Sequence, residues 1–140
     1  MRLRIDRNQM KRIEWHAIRE FPYECCGLLI GEVEGEEAVV LETIETRNVH
    51  EGDRRVRYQV DPMMYYEAEK RAEEEGLEVI GVYHSHPLGR PEPSVIDLEN
   101  AVPGFFYIIV SVRDGSIGGA SAWRFPREGK GFQRVELMID

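Results

Sequence analysis

The sequence predicts an α/β fold in which a mixed, mostly antiparallel sheet is flanked by helices. Three observations favour this fold. Short apolar runs typical of strands alternate with stretches of helical periodicity, glycine and proline separate most of these segments, and no repeat, linker or low-complexity tract interrupts them. At 140 residues and 42% hydrophobic composition, the chain is expected to form a single domain, residues 1–140, that buries a core without disulfide bonds.

The chain begins with a predicted edge strand and a predicted helix. Leu3 and Ile5 alternate with charged residues, which is the pattern of a half-buried strand. Asp6 or Asn8 is suited to cap a helix that continues to about residue 20, where a Phe-Pro pair ends it.

A hairpin and a loop are predicted next. Residues 26–31 form a compact apolar run, and residues 34–37, rich in glutamate with one glycine, predict a turn into a second strand over residues 38–44. These two strands should pair antiparallel. Residues 46–57 lack periodicity and predict a loop, and residues 58–60 predict a brief strand.

The second half of the chain predicts two helices and four strands. Asp61 and Pro62 are suited to begin a helix that ends near Gly76, and the apolar residues 77–83 predict a buried strand. The remaining predicted elements are a short helix over residues 94–100, capped by Ser94, and strands over residues 105–112, 120–125 and 132–139.

Two histidines and an aspartate follow the buried strand over residues 77–83. His84 and His86 are two positions apart, so in extended chain both rings point to the same face and can reach one ion. Asp97 offers a third, oxygen ligand. Three protein ligands leave one tetrahedral position of a zinc ion for water, which is the pattern of catalytic rather than structural zinc sites. The sequence therefore predicts a hydrolytic zinc site at the end of this strand.

Two further residues complete the chemistry of such a site. A zinc-activated water needs a general base, and Glu24, at the start of the apolar run over residues 26–31, is the candidate. The alternative for Glu24 is a carboxylate that faces solvent after the first helix. Ser94 can donate a hydrogen bond to an oxyanion, but it is equally suited to cap the short helix, and the two roles compete for one oxygen.

Composition and charge exclude several other functions. A net charge of −8 disfavours nucleic-acid binding, and the short basic run over residues 54–57 is typical of a solvated loop. No apolar run approaches the roughly 18 residues of a membrane span, and no signal-peptide pattern is present, so the sequence predicts a soluble, cytoplasmic protein. Cys25 and Cys26 predict buried thiols in a reducing compartment, with reactive thiols as the alternative. His16 and His50 are expected on a helix surface and in a loop.

The candidate functional residues stand at the spacing of a known motif. A glutamate stands upstream of a His-Ser-His-Pro tetrapeptide, which six residues separate from a serine and two more from an aspartate. This arrangement resembles the motif of the JAMM (MPN+) zinc metalloproteases, and the resemblance covers roughly residues 3–126. In sequence order, the matching residues are Glu24, His84, Ser85, His86, Pro87, Ser94 and Asp97.

This resemblance has implications for fold and mechanism. It implies a cytidine-deaminase-like three-layer sandwich, with the sheet between helices. It implies that His84, His86 and Asp97 are the zinc ligands. It further implies that Glu24 is the catalytic acid/base and Ser94 the oxyanion donor.

The resemblance also implies a substrate class. It suggests a zinc peptidase or isopeptidase that cleaves after the C-terminal Gly-Gly tail of a ubiquitin-like or small sulfur-carrier protein. The short segments at residues 101–104 and 113–116 leave no room for the long insertions of ubiquitin-chain specialists, which favours the compact prokaryotic-type branch. The loop over residues 46–57 is expected to form one wall of the site.

The sequence leaves two alternative functions to this one. A non-catalytic MPN-type interaction scaffold usually lacks the ligands that this chain keeps. A nucleoside deaminase expects a Cys-x-x-Cys ligand pair, which the adjacent Cys25 and Cys26 do not provide. The sequence leaves the oligomeric state open, a homodimer included.

Overall fold

The computed structural model describes residues 1–140, which form seven strands and three helices. None of the three helices has both the length and the apolar composition that crossing a membrane requires. In chain order the elements are β1 (Arg2–Ile5), α1 (Arg7–Glu20), β2 (Cys26–Glu34), β3 (Glu37–Thr46), α2 (Pro62–Glu74), β4 (Glu78–Pro87), α3 (Val95–Glu99), β5 (Phe106–Arg113), β6 (Ser116–Arg124) and β7 (Gln133–Ile139).

The seven strands form one closed sheet in the order β1-β3-β2-β4-β5-β6-β7. Four of its seven pairings are antiparallel and three are parallel, which confirms a mixed sheet. The prediction of β1 as an edge strand is wrong, because β1 pairs in parallel with β3 on one side and with β7 on the other. The closure makes the sheet a barrel, so the cytidine-deaminase-like three-layer sandwich is not confirmed in that form.

The helices pack on opposite faces of the sheet, which confirms the flanking arrangement. Ile13 and other residues of α1 lie in a core cluster with Ile108 of β5, whereas Ala68 and Ala72 of α2 lie in a second cluster with Tyr107. Successive strand residues point to opposite faces, so neighbours in β5 contribute to different clusters. Strands β4 and β5 are therefore covered on both sides, which explains their continuous apolar sequences.

The predicted helix caps are confirmed in the structure. The Gln9 amide donates to Asp6 Oδ1 at 2.7 Å at the start of α1. The Met63 amide donates to Asp61 Oδ1 at 2.9 Å, and Pro62 occupies the first turn of α2. Each carboxylate satisfies an amide that has no acceptor inside its own helix.

Two strand predictions need correction. Residues 58–60 do not form a strand, and only an isolated bridge joins Asn48 to Val60. The pairing there is partly through a side chain, since Gln59 donates its amide to Asn48 Oδ1 at 3.1 Å while its carbonyl accepts the Val49 amide at 2.9 Å. Strand β6 begins at Ser116, four residues before the predicted start at 120. Gly118 and Gly119 weaken the strand pattern there, and a Cβ at Gly118 would lie 2.7 Å from the Ser111 hydroxyl, which would have to shift.

Candidate metal centre

His84 and His86 lie close to the C-terminal end of β4. This strand is paired with β2 as far as His84 and with β5 as far as Pro87. The spacing of two places His84 and His86 on one face, as the sequence predicts. Helix α3 brings Asp97 to the same face. The three residues form a cluster in which one nitrogen or oxygen atom from each lies within 4.8 Å of the other two.

The three ligand atoms form a nearly equilateral triangle. The Nε2 atoms of His84 and His86 are 3.1 Å apart, and Asp97 Oδ2 lies 3.2 Å from the first and 3.1 Å from the second. Ligands of a tetrahedral zinc ion at about 2.0–2.1 Å stand roughly 3.3–3.4 Å apart. The spacing and the two-nitrogen, one-oxygen donor set therefore fit a metal ion held by three protein ligands.

A hydrogen bond at His86 and the burial of His84 both bear on metal ligation. Nδ1 of His86 donates to the Arg90 carbonyl at 2.8 Å, so the proton resides there and the Nε2 lone pair is free for a metal. The His84 ring is 1% exposed and stacks on Tyr58, with ring centroids 4.5 Å apart. Burial lowers the pKa of His84, which keeps this imidazole neutral as a ligand must be.

Asp97 is held as an anion. Burial opposes ionisation of this carboxyl, but hydrogen bonds, the largest of them from the His84 ring, outweigh it and hold the pKa of Asp97 well below its usual range. The Ser94 amide also donates to Asp97 Oδ2, at 2.9 Å. The third donor is therefore ionised at neutral pH, which is the form in which a carboxyl group binds a metal ion.

Glu24 lies next to this cluster and is buried, with an exposed fraction of 6%. The alternative of a carboxylate facing solvent is therefore wrong. Its Oε1 atom has no hydrogen-bond partner. Burial raises the pKa of Glu24 to about 8, with His86 lowering it and Asp97 raising it through their charges. A carboxyl that titrates near neutral pH is suited to general acid/base catalysis, although its catalytic role stays a prediction.

Ser94 adopts the helix-cap role. Its Oγ accepts the Asp97 amide at 3.1 Å, and the Asp97 carboxylate accepts the Ser94 amide in return, which completes a capping box. The hydroxyl acts only as an acceptor in this pair, so its proton is available for another hydrogen bond. The two proposed roles therefore need not compete, and the oxyanion role stays a prediction.

Two cavities are lined by the loop that follows β3, one of them including Glu24 and the other including Asp97. A polar cavity of about 710 Å³ is lined by Glu24 and Arg54, among others. A more apolar cavity of about 500 Å³ is lined by Asp97, Tyr58 and Tyr107, among others. His50 lines both, so the loop over residues 46–57 contributes to both cavities, and its role as a wall of the substrate site stays a prediction.

Sequence reasoning missed two residues of the site, Tyr58 and Asn48. Tyr58 stands in the segment predicted as a strand, and Asn48 in a loop without periodicity, so only their polar or aromatic chemistry marked them. His16 was also misplaced: it is 4% exposed, and its Nδ1 lies 2.7 Å from the Tyr83 hydroxyl.

The two cysteines are not suited to act as nucleophiles or metal ligands. Both are free and buried. Burial raises the pKa of Cys25 and of Cys26 to about 12, so both stay protonated at neutral pH. The structure therefore supports the buried-thiol interpretation.

Comparisons with known proteins place this geometry in a family. A family model described as prokaryotic homologs of the JAB domain matches residues 7–126. A probable TtuB-protein conjugate cleaving protease from Thermus thermophilus is 35% identical over 137 residues, which are 98% of this chain and 82% of that protein. A desampylase from Pyrococcus furiosus is 40% identical over 118 residues, 84% of this chain and 76% of that protein.

A solved structure supports the same assignment at the level of fold. A JAB1/MPN domain protein from Archaeoglobus fulgidus has a TM-score of 0.62 at 24% identity, over 99% of this chain and 96% of that one. The family model and the two relatives confirm the resemblance to the JAMM (MPN+) family. With its His-His-Asp cluster, the chain belongs to the family of prokaryotic homologs of the JAB domain.

Proposed function

We propose that this chain is a zinc-dependent isopeptidase that releases a ubiquitin-like or small sulfur-carrier protein by cleavage after its C-terminal glycine tail. The observation that carries the proposal is the triangle of His84, His86 and Asp97 with the buried Glu24 beside it. The names of two relatives, a conjugate cleaving protease and a desampylase, support cleavage of protein conjugates.

In this mechanism the chain supplies both ligands and proton transfer. Nε2 of His84, Nε2 of His86 and Oδ2 of Asp97 would hold zinc, which when bound acidifies a water molecule and polarises the scissile carbonyl. Glu24 takes the proton from the attacking water and delivers it to the leaving amine. The Ser94 hydroxyl donates a hydrogen bond to the oxyanion.

The shape of the site supports a slender substrate. Only a short segment joins α3 to β5, and a two-residue turn joins β5 to β6, so neither connection carries a long insertion. A Gly-Gly tail has no side chains and can lie extended against main-chain groups, which provide the affinity in this mode of recognition. The proposed partners are therefore folded carriers with an extended glycine tail, in the cytoplasm.

The test combines metal analysis with a cleavage assay on a Gly-Gly-tailed carrier joined to lysine. We expect about one zinc per wild-type chain and cleavage only by the wild type. Glu24→Gln should keep its zinc and lose activity by a factor on the order of 10²–10⁴. His86→Ala should lose both zinc and activity, and His50→Ala is the matched histidine control for metal content.

Two outcomes would contradict the proposal. Full activity of Glu24→Gln would remove its assigned role. A zinc-loaded wild type that cleaves no Gly-Gly conjugate would favour the interaction scaffold instead.

A further inference from the structure

Asn48 uses the full hydrogen-bonding capacity of its side chain in the loop beside the metal centre. Its Nδ2 donates to the Glu24 carbonyl at 3.0 Å and to the Arg57 carbonyl at 3.1 Å. Its Oδ1 accepts the His50 amide and the Gln59 amide, each at 3.1 Å. An amide side chain has two donors and two acceptor lone pairs, so all four are used and all four partners are main-chain atoms.

Glu24 depends on these main-chain contacts for its position. Its carboxyl is buried, and Oε1 has no hydrogen-bond partner, so no donor fixes the acid group at that atom. Its main chain is held on both sides: the amide donates to the Arg54 carbonyl at 2.8 Å, and the carbonyl accepts from Asn48. Both partners belong to the loop after β3, although Glu24 itself precedes β2.

The loop is anchored at its base independently of Asn48. Arg47 donates to Asp61 Oδ2 at 2.8 Å, and the Val49 amide donates to the Gln59 carbonyl at 2.9 Å. These contacts join the two ends of the loop to each other. Asn48 is the side chain that joins the loop to Glu24.

We propose that Asn48 is a positioning residue, which acts through the main chain of Glu24 to aim the buried carboxyl at the reacting water. This inference rests on the proposed function for its kinetic consequence. Because Asn48 contacts none of the three metal ligands, its loss lowers kcat and leaves zinc binding unchanged.

Two variants separate the contacts of Asn48. Asn48→Ala removes all four hydrogen bonds, whereas Asn48→Asp keeps acceptors for the His50 and Gln59 amides and loses both donors. A displaced catalytic group costs on the order of 10²-fold in rate, and we expect a loss of kcat of that order in both variants, with KM and zinc content unchanged. Asn8→Asp, an exposed asparagine of α1, is the matched control for the added charge and should keep full kcat.

A coupling experiment tests whether Asn48 acts through Glu24. In a Glu24→Gln background, Asn48→Ala should have little further effect on single-turnover cleavage, because the group that it positions is already gone. Independent, multiplicative losses would overturn the proposal. So would a lowered Tm with unchanged kcat in both single variants, since that result describes a purely structural residue.

Amide hydrogen exchange tests the positioning without any catalysis. The Glu24 amide donates to the Arg54 carbonyl of the loop that contains Asn48, and loss of the Asn48 contact should let this loop open more easily. An opening that is easier by about 1 kcal/mol, the worth of one hydrogen bond, makes the Glu24 amide exchange roughly fivefold faster in both variants than in the wild type. The wild-type side-chain amide protons of Asn48 should be protected, which can be measured even if a variant fails to fold. Unchanged Glu24 exchange, or an unprotected Asn48 amide, would overturn the inference, while an inactive wild type with the predicted exchange would contradict only the isopeptidase proposal.

Discussion

Glu24 shows how burial alters a single residue. A carboxyl on a helix exit ordinarily faces water, yet here the chain turns it inward beside two histidines and an aspartate. Removal from water penalises the charged form, so the group holds its proton to a higher pH than an exposed glutamate does. The same burial that suits the group to catalysis therefore costs stability once it ionises.

This cost gives the zinc-free protein a specific pH dependence. Burial raises the pKa of Glu24 from 4.5 to about 8, so the folded chain binds this proton more tightly than the unfolded chain. Its contribution to stability is complete below about pH 4.5, falls as the pH rises and is lost above about pH 8. Relative to Glu24→Gln, the wild type should lose a few kcal/mol of unfolding free energy, since one pKa unit is worth about 1.4 kcal/mol.

Urea denaturation of both proteins in chelator, from pH 5 to pH 9, measures this difference. The difference between the two unfolding free energies must change with pH in the stated direction. Parallel curves would mean that Glu24 is not buried in the zinc-free protein.

The sequence predicts some residues of the site far better than others. His84, His86 and Asp97 share one short stretch of chain, and the strand period alone puts the two rings on one face. Asn48 and Tyr58 were missed because their contacts are a main-chain carbonyl 24 positions away and a ring 26 positions away. Local periodicity carries no information about such contacts.

At the scale of elements, α3 is the part of the site that is least stable in isolation. It has five residues, and a helix this short does not form in isolation. It nevertheless carries Asp97, one of the three ligands. Its capping box, in which Ser94 and Asp97 satisfy each other's amides, is therefore a condition for the metal centre.

Two substitutions at Ser94 separate its two roles. Ser94→Ala removes the cap and should lower the unfolding free energy by about 1 kcal/mol, whereas Ser94→Gly should cost only a few tenths, since glycine is tolerated at this position. If the hydroxyl also serves the oxyanion, both variants lose kcat to a similar extent. Thermal denaturation and steady-state kinetics measure the two effects. A kcat that follows stability, with Ser94→Gly nearly fully active, would leave Ser94 only its structural role.

How well each strand or helix was predicted depends on how clear its hydrophobic pattern and its caps are in the sequence. Strands β4 and β5 are apolar on both faces, and helices α1 and α2 begin at recognisable caps, so all four were placed within a few residues. The start of β6 was missed because glycine weakens a strand pattern. The Tyr58 segment has the composition of a strand, but its pairing is limited to one isolated bridge.

At the scale of the whole molecule, the closure of the sheet is what the sequence could not show. Strand β1 pairs with β7, and the paired residues Arg2 and Glu136 lie at opposite ends of the chain. No local pattern distinguishes such a strand from an edge strand, because each shows the same alternation.

Zinc should stabilise the molecule as a whole, because its ligands join β4 to α3. A ligand that binds only the folded state at about 100 times its Kd adds roughly 2.7 kcal/mol, which for a chain of this size corresponds to a rise in Tm on the order of 10 °C. The rise should shrink on acidification, as the histidines must be neutral to bind. Differential scanning calorimetry with zinc and with chelator measures it, and His86→Ala should show no shift. A zinc effect that persists in His86→Ala would place the ion elsewhere.

The double pairing of β1 also governs how the chain is made. A ribosome produces β1 first and β7 only after the other strands, so one side of β1 keeps free amides and carbonyls throughout most of synthesis. Such an open strand edge is a template for pairing with other chains. During translation this protein therefore carries an aggregation hazard that its finished form lacks, and completing the barrel is the step that removes it.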